Sequence, residues 1–337
     1  MKFVLLDINN LVHRSKHVIK QYDSFDECVG MVLTIVFNSI KKSYEKFGAE
    51  HMVACVDSSS WRKDVYPDWK ADRKVAHAKK TPKEKEEYEV INEVINDVRD
   101  FLRENTNVTV LERKGIEADD FIARWVTLHH NPAFDHVIVS ADGDFKQLVR
   151  DHVDLYDPIR QVLYTSTGVY MQDGKRPGKN TPTINRYGEV WKIKYDKKTG
   201  EAETFDPQWE LFKISIRGVK NNTRSAFPRV YETKMREAYE DMGGLKWNNF
   251  INSTWGPDDA RKSVRKIYDL NRSLMDLTAQ PDNIRADIDN TIEEALNKRR
   301  KQMVGAHFAR FCGKYKLVRL SQSPNAIVRI LSSPYDA

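Results

Sequence analysis

Four short runs of β-favouring apolar residues recur in the first 140 positions, at 2–6, 52–56, 108–111 and 137–140. Each is apolar at nearly every position, as a strand buried on both faces must be. Between them lie stretches with apolar residues at three- and four-residue intervals, over 26–47, 83–104 and 117–128. Strands alternating with helices at this spacing predict an α/β fold around a largely parallel sheet.

The 337 residues, 40% of them hydrophobic, can fill a sizeable core. No apolar run approaches the ~20 residues of a membrane span. The N-terminal apolar run stops at Asp7, too short for a signal segment. Cys28, Cys55 and Cys312 are far apart and odd in number, which predicts neither disulfides nor a thiolate metal site. A monomer in a reducing cytoplasm, away from membranes, is expected. The net charge of +6 is modest, but its distribution is uneven: segment 58–80 carries seven basic against three acidic residues, and 292–320 carries eight against two. Such clusters suit a polyanion, and each taken alone also suits a solvated helix face.

The chain divides into three regions. Residues 1–164 form the α/β core, interrupted at 58–82 by an aromatic and basic stretch without a clean period, read as a long functional loop. Residues 165–206 form a polar insert in which 190–205 reads as a hairpin with a Lys-Thr-Gly turn. Residues 207–337 are helical, with helices expected at 207–217, 228–241, 258–278, 288–302 and 304–313.

The acidic residues fall at telling places. Asp7 and Asp57 end the first two strands, Glu117, Asp119 and Asp120 open the helix after the third, and Asp142 and Asp144 occupy the turn after the fourth. In an open parallel sheet these positions share one edge, where ligands bind. Two like charges ~4 Å apart repel by about 1 kcal/mol in water and about 4 kcal/mol at an effective dielectric of 20. Seven carboxylates in one crevice therefore take up protons or bind cations. With no accompanying His or Cys cluster, oxygen ligation favours Mg²⁺, with Mn²⁺ as a substitute. A multi-carboxylate site holding two such ions is suited to phosphodiester cleavage. Each acid also has a plainer reading, as a strand-end cap, a first-turn helix acid or a turn residue; the shared edge favours the functional one.

GIEADDFIA (115–123) and VSADGDF (139–145) resemble the two acidic motifs of the structure-specific 5′ nuclease family of flap endonucleases and 5′–3′ exonucleases. YPDWKADR (66–73) resembles its Tyr-Pro-x-Tyr-Lys-x-x-Arg segment, and ISIRGVKNNTRSAFPRV (214–230) stands where the family has a helix–loop–helix duplex-binding motif. YDLNRSLMDLTAQPDNI (268–284) is similar to a stretch of the T-even phage ribonuclease H branch. The resemblance implies a PIN-like 5′ nuclease fold with an arch over the active site. It implies a two-metal 5′–3′ exonuclease and flap endonuclease with ribonuclease H activity that removes RNA primers and displaced 5′ ends in phage-type DNA replication. Asp7, Asp57, Asp119 and Asp142 would hold the first metal, with Glu117 and Asp120 beside them and Asp144 serving the second. Lys70 and Arg73 would act on the scissile phosphate together with the Asp142 centre, and Trp69 would stack on a terminal base or pack the arch base. Arg217, Gly218, Lys220, Arg224 and Arg229 would grip duplex phosphates. The implied substrates are DNA and RNA–DNA duplexes with 5′ ends or flaps; a single-stranded-DNA-binding protein and a sliding clamp are candidate partners.

The loop departs from the family pattern, which reads approximately Arg-Gly-Asp-x-x-Asp-Asn. Here Val219 and Asn222 replace both aspartates, which predicts weaker second-metal binding and puts a loop potassium ion in doubt. Two other readings compete: a catalytically weakened protein that binds 5′ junctions, and a PIN-like ribonuclease without flap specificity.

Overall fold

The computed structural model describes residues 1–172, 183–184, 191–195, 200–219 and 222–336, except for the side chains of 72–74, 76 and 183–184. Its main sheet contains strands β1 (Lys2–Asp7), β2 (His51–Cys55), β3 (Thr109–Leu111), β4 (Asp135–Val139), β5 (Val153–Asp157), β6 (Val162–Thr165), β7 (Gly168–Met171), β8 (Thr183–Ile184) and β9 (Trp191–Ile193). Their order is β3-β2-β1-β4-β5-β6-β7-β9-β8. The five strands from β3 to β5 are mutually parallel, and the remaining pairings are antiparallel.

The helices are α1 (Ile8–Val18), α2 (Phe25–Phe47), α3 (Arg62–Val65), α4 (Ala71–Ala78), α5 (Pro82–Asn105), α6 (Ala118–Leu128), α7 (Pro207–Arg217), α8 (Glu232–Glu240), α9 (Leu245–Ile251), α10 (Val264–Met275), α11 (Asp282–Leu296), α12 (Val304–Lys314), α13 (Val318–Gln322) and α14 (Asn325–Ser332). Among the described residues, no helix is long and apolar enough to cross a membrane.

Side chains alternate along the parallel strands and bury both faces. Val4, Leu6, Met52, Ala54 and Val137 pack with α1, α2, α5 and the C-terminal helices α12–α14. Phe3, Leu5, Val53, Cys55 and Ile138 pack with α6 and α11. Local signals set the long helices: Ser24 accepts from the Glu27 amide at the start of α2 and Gly48 ends it at φ 58°, while Thr81 and Glu84 form a capping box on α5. Helices α7–α10 enclose a separate core around Phe212 and Tyr268. The three cysteines are buried and unpaired.

The architecture moves the helix expected over 288–302 to Asp282–Leu296, and it corrects three further boundaries. The sheet does not stop near 165: β7, β8 and β9 extend it into the region read as an insert, and Tyr195 bridges Ala202 across a hairpin whose turn lies outside the described residues. The stretch 58–82 is not a plain loop, because α3 and α4 form within it; both are too short to show a period. The helix expected over 258–278 begins only at Val264, after a 3₁₀ turn and a two-residue ladder that pairs 254–255 with 262–263.

Phe37 is fully buried, with ring contacts to Phe101, Phe308 and Phe311. Replacement by Ala should cost about 3–5 kcal/mol, measured as a lower urea midpoint with an unchanged slope.

Candidate active site at the carboxyl edge of the sheet

Each acid reaches the edge by its own local route. Asp7 closes β1 and caps α1, accepting from the Asn10 amide at 2.9 Å. Asp57 follows β2 and accepts from the Ala118 amide at 2.8 Å, while its own amide donates to Asn9 at 2.9 Å. These contacts lock the ends of β1 and β2 to the first turn of α6. Asp142 caps a 3₁₀ turn (Gly143–Leu148) and accepts from the Asp144 amide at 3.0 Å.

Burial and mutual repulsion act on the group. Asp7 is pushed up from 3.8 to about 8, first by burial and then by Asp57 and Asp142. Asp119 rises well above the usual range, through burial and then Asp142, Asp7 and Asp57. Asp144 is pushed up to about 7 by burial and Asp142. Glu117 behaves oppositely: burial acts upward, but the Lys70 ammonium and Arg62 guanidinium outweigh it and hold the carboxyl below its usual value. The donors are all oxygens, crowded and short of positive charge, which fits a hard divalent cation. Among the described residues, no three His, Cys, Asp or Glu side chains stand in an arrangement that could by itself hold a metal ion.

Lys70 brings the arch segment into this crevice. Its backbone is left-handed at φ 54°, a conformation disfavoured by about 1–2 kcal/mol for a residue with a Cβ. Its ammonium meets Glu117 Oε1 and lies within electrostatic reach of Asp7, Asp119 and Asp144. Arg73 lies on α4, and its side chain is outside the described set.

Asp120 stands elsewhere than expected, and Trp69 takes the packing role of its two expected ones. Asp120 is fully buried and committed: Oδ1 accepts from Arg62 at 2.9 Å, and Oδ2 from Arg62 at 2.9 Å, Trp61 at 3.1 Å and the Glu117 amide at 3.3 Å. Three helix positions separate it from Glu117, so the two share a side of α6, but Asp120 faces inward to Arg62. Trp69 is 3% exposed and packs against Leu211, Leu274 and Met275. It is therefore a packing residue at the arch base, and a base cannot stack on it without displacing that core.

In the loop after α7, Gly218 has φ 69°, and a Cβ there would lie 2.6 Å from the Arg224 backbone, so both conformation and space demand glycine. Asn271, buried on α10, donates to the Ser215 carbonyl at 2.8 Å and the Arg224 carbonyl at 2.7 Å, closing the loop. Arg224 is exposed and pairs with Asp68 of the arch segment at 3.0 Å. Arg217 pairs with Glu232 at 3.3 Å, and Arg229 is exposed at φ 57°. Lys220 lies outside the described residues. Val219 packs against the Trp69 cluster, and the Asn222 amide donates to the Val219 carbonyl at 2.9 Å.

Sequence reasoning gave no role to three residues the site depends on. Arg62 is buried among Glu117, Asp120 and the Leu274 carbonyl. Gln147 donates to the Asp144 carbonyl at 2.8 Å and the Met275 carbonyl at 3.0 Å, fixing the acidic turn to the end of α10. On α1, Arg14 has a buried Nη1 without a hydrogen-bond partner and feels Asp157 and Asp7. Only Arg62 had a sequence signal, its place beside Trp61 ahead of the arch motif.

An α/β sheet with crowded carboxylates at its carboxyl edge, a lysine among them and a helical hairpin beside them defines a nuclease-type centre. Residues 2–174 match the 5′-3′ exonuclease family model for the N-terminal resolvase-like domain, and the chain belongs to that family. It is 27% identical to a 5′-3′ exonuclease of Aquifex aeolicus over 196 residues, 54% of this chain and 62% of that protein. It is 32% identical to a flap endonuclease Xni of Shewanella pealeana over 109 residues, 32% of this chain and 38% of that protein. The chain thus spans less than two thirds of each. The T5 D15 protein crystallised with metal ions superposes with a TM-score of 0.60 at 16% identity, covering 88% of this chain and 98% of that one. A T5 D15 flap endonuclease in complex with DNA and metal ions gives 0.58 at 17%, with coverage of 88% and 99%. At these identities the structural likeness is one of fold.

The raised carboxyls set a pH dependence. Between 3.8 and about 8 the unfolded chain ionises where folded Asp7 does not, so folding loses stability as pH rises through that window. His51 and His136, held near 4 by burial, act in the opposite sense only below about 6.5. In chelator, the melting temperature should therefore fall from pH 6.5 to 8.5, and Mg²⁺ should raise it more at pH 8.5 than at 6.5. A flat or rising profile in chelator would contradict the crowding.

Proposed function

We propose that this chain is a divalent-metal-dependent 5′–3′ exonuclease and flap endonuclease that hydrolyses phosphodiesters near 5′ ends. The observation that carries this reading is the convergence of Asp7, Asp57, Asp119, Asp142 and Asp144 from separate segments, with Lys70 inserted beside them.

Asp7, Asp57, Asp119 and Asp142 would hold a first Mg²⁺ or Mn²⁺, with Glu117 close by. Asp144 would serve a second ion, with Asn222 offering only a weaker neutral carbonyl. Bound ions would supply activation of the attacking water and neutralisation of charge at the leaving oxygen. Lys70 orients the scissile phosphate as a compact charge, and Arg73 as a bidentate fork. Gly218 and the exposed Arg224, with Arg217, Lys220 and Arg229, hold the duplex through phosphates, which fixes register without reading sequence. DNA and RNA–DNA duplexes with 5′ ends or flaps are the substrates, and primer removal with ribonuclease H activity in phage-type replication is the process. A cytoplasmic monomer is proposed, with a single-strand-binding protein and a sliding clamp as recruiters. Asp120 and Trp69 are left out of the ligand and stacking sets, because their atoms are committed to Arg62 and to the arch-base core.

Val219 and Asn222 support a second reading, a weakened enzyme that mainly binds 5′ junctions. A labelled 5′ flap and an RNA-primed duplex, titrated with Mg²⁺, separate the two. Metal-dependent release of short 5′ products, lost in Asp142→Asn while DNA binding is kept, is the expected result; tight binding without cleavage at any Mg²⁺ or Mn²⁺ level favours the second reading. Arg224→Ala should weaken binding on all sequences and flatten the slope of log affinity against log salt by about one unit. An unchanged slope would remove Arg224 from the footprint.

A further inference from the structure

Arg62 is a fully desolvated arginine whose contacts reach three parts of the molecule. Its side chain is 2% exposed, and its guanidinium carbon is 4.6 Å from the ring centre of Trp61 and 5.6 Å from that of Trp69. Nε donates to the Leu274 carbonyl at 2.7 Å, at the end of α10. Nη1 donates to Glu117 Oε2 at 3.0 Å and Asp120 Oδ2 at 2.9 Å, and Nη2 to Asp120 Oδ1 at 2.9 Å. Ser60 Oγ adds a second donor to Glu117 Oε2 at 2.7 Å.

These contacts divide the two oxygens of Glu117 between different tasks. Oε2 is taken by Arg62 and Ser60, whereas Oε1 pairs with the Lys70 ammonium. Asp120 supplies the guanidinium with a bidentate counter-charge, so that Arg62 stays charged and fixed without drawing Glu117 out of the site.

We infer that Arg62 is a positioning residue that restricts Glu117 to a single oxygen, the one on the Lys70 side, for a divalent ion and ties that carboxylate to the end of α10. This rests on the metal-dependent reading proposed above. The plainer alternative is a buried ion pair that serves stability alone. Removing the pair as a unit separates the two. Replacing both partners of a buried pair is often tolerated, whereas removing one leaves an uncompensated charge. A purely structural pair would then leave metal affinity intact; a positioning residue would not.

The test is calorimetric titration of the chelator-treated full chain with Mn²⁺ alone, comparing wild type, Arg62→Met/Asp120→Asn and Ser60→Ala. Circular dichroism and melting verify the fold of each. The double variant should fold and bind Mn²⁺ about 10-fold more weakly, the lower end of the range for residues that orient metal ligands. Ser60→Ala should shift in the same direction by a smaller factor with an unchanged melting temperature. At saturating Mn²⁺, flap cleavage by the double variant should lose kcat and keep its KM for DNA. A folded double variant with the wild-type isotherm overturns the inference. If the double variant does not fold, Ser60→Ala decides, and a wild-type isotherm there overturns it equally. Wild type that neither binds Mn²⁺ nor cleaves refutes the proposed function and this inference with it; wild type that does both, beside variants with its isotherm, refutes the inference alone.

Discussion

Repulsion among the carboxylates at one sheet edge is the constraint to which the surrounding structure answers. The parallel topology brings the ends of β1, β2 and β4 together with the start of α6, and no local choice can move them apart. Like charges in a partly desolvated crevice raise one another's proton affinity, as Asp7, Asp119 and Asp144 show. Lys70 and Arg62, both in the segment between β2 and α5, bring positive charge to the site, and Arg14 of α1 acts on Asp7 from another side. The segment is thus part of the electrostatic balance of the site.

The end of α10 is the mechanical counterpart of that balance. The last carbonyls of a helix have no partner within it. Here the Leu274 carbonyl accepts from Arg62 and the Met275 carbonyl from Gln147. One helix end therefore fixes the arch stem and the acidic turn at once. Asn271, a turn earlier, closes the loop after α7. The loop after α7, the Arg62 segment and the acidic turn are thereby all tied to one helix.

Val219 belongs to the same arrangement. Where the family pattern has an aspartate, this chain places an apolar side chain against the cluster of Trp69, Leu211, Leu274 and Met275. The substitution removes a charge from the loop and adds packing between the loop and the arch base. It places the loop's departure from the pattern at a contact between two parts of the site, well short of a breakdown of the fold.

Much of this was legible in the sequence. The four central strands, the long helices and the position of Asp7, Asp57, Glu117, Asp119, Asp142 and Asp144 at one edge come from periodicity and from the geometry of parallel sheets, which are local and topological rules. Gly218 was legible as part of a motif; its steric necessity was not. Tertiary structure alone decided which acids face the crevice and which face inward. Glu117 and Asp120 stand three residues apart in one helical turn, and only the arrival of Arg62 and Lys70 from another segment commits Asp120 wholly to the guanidinium and divides the oxygens of Glu117 between the two cations. The same holds for Trp69, whose aromatic ring suits stacking or core equally well until α7 and α10 close over it. Residue type and spacing set what a side chain can do; the partners brought by distant segments set what it does, because burial and charge compensation are properties of the assembled neighbourhood.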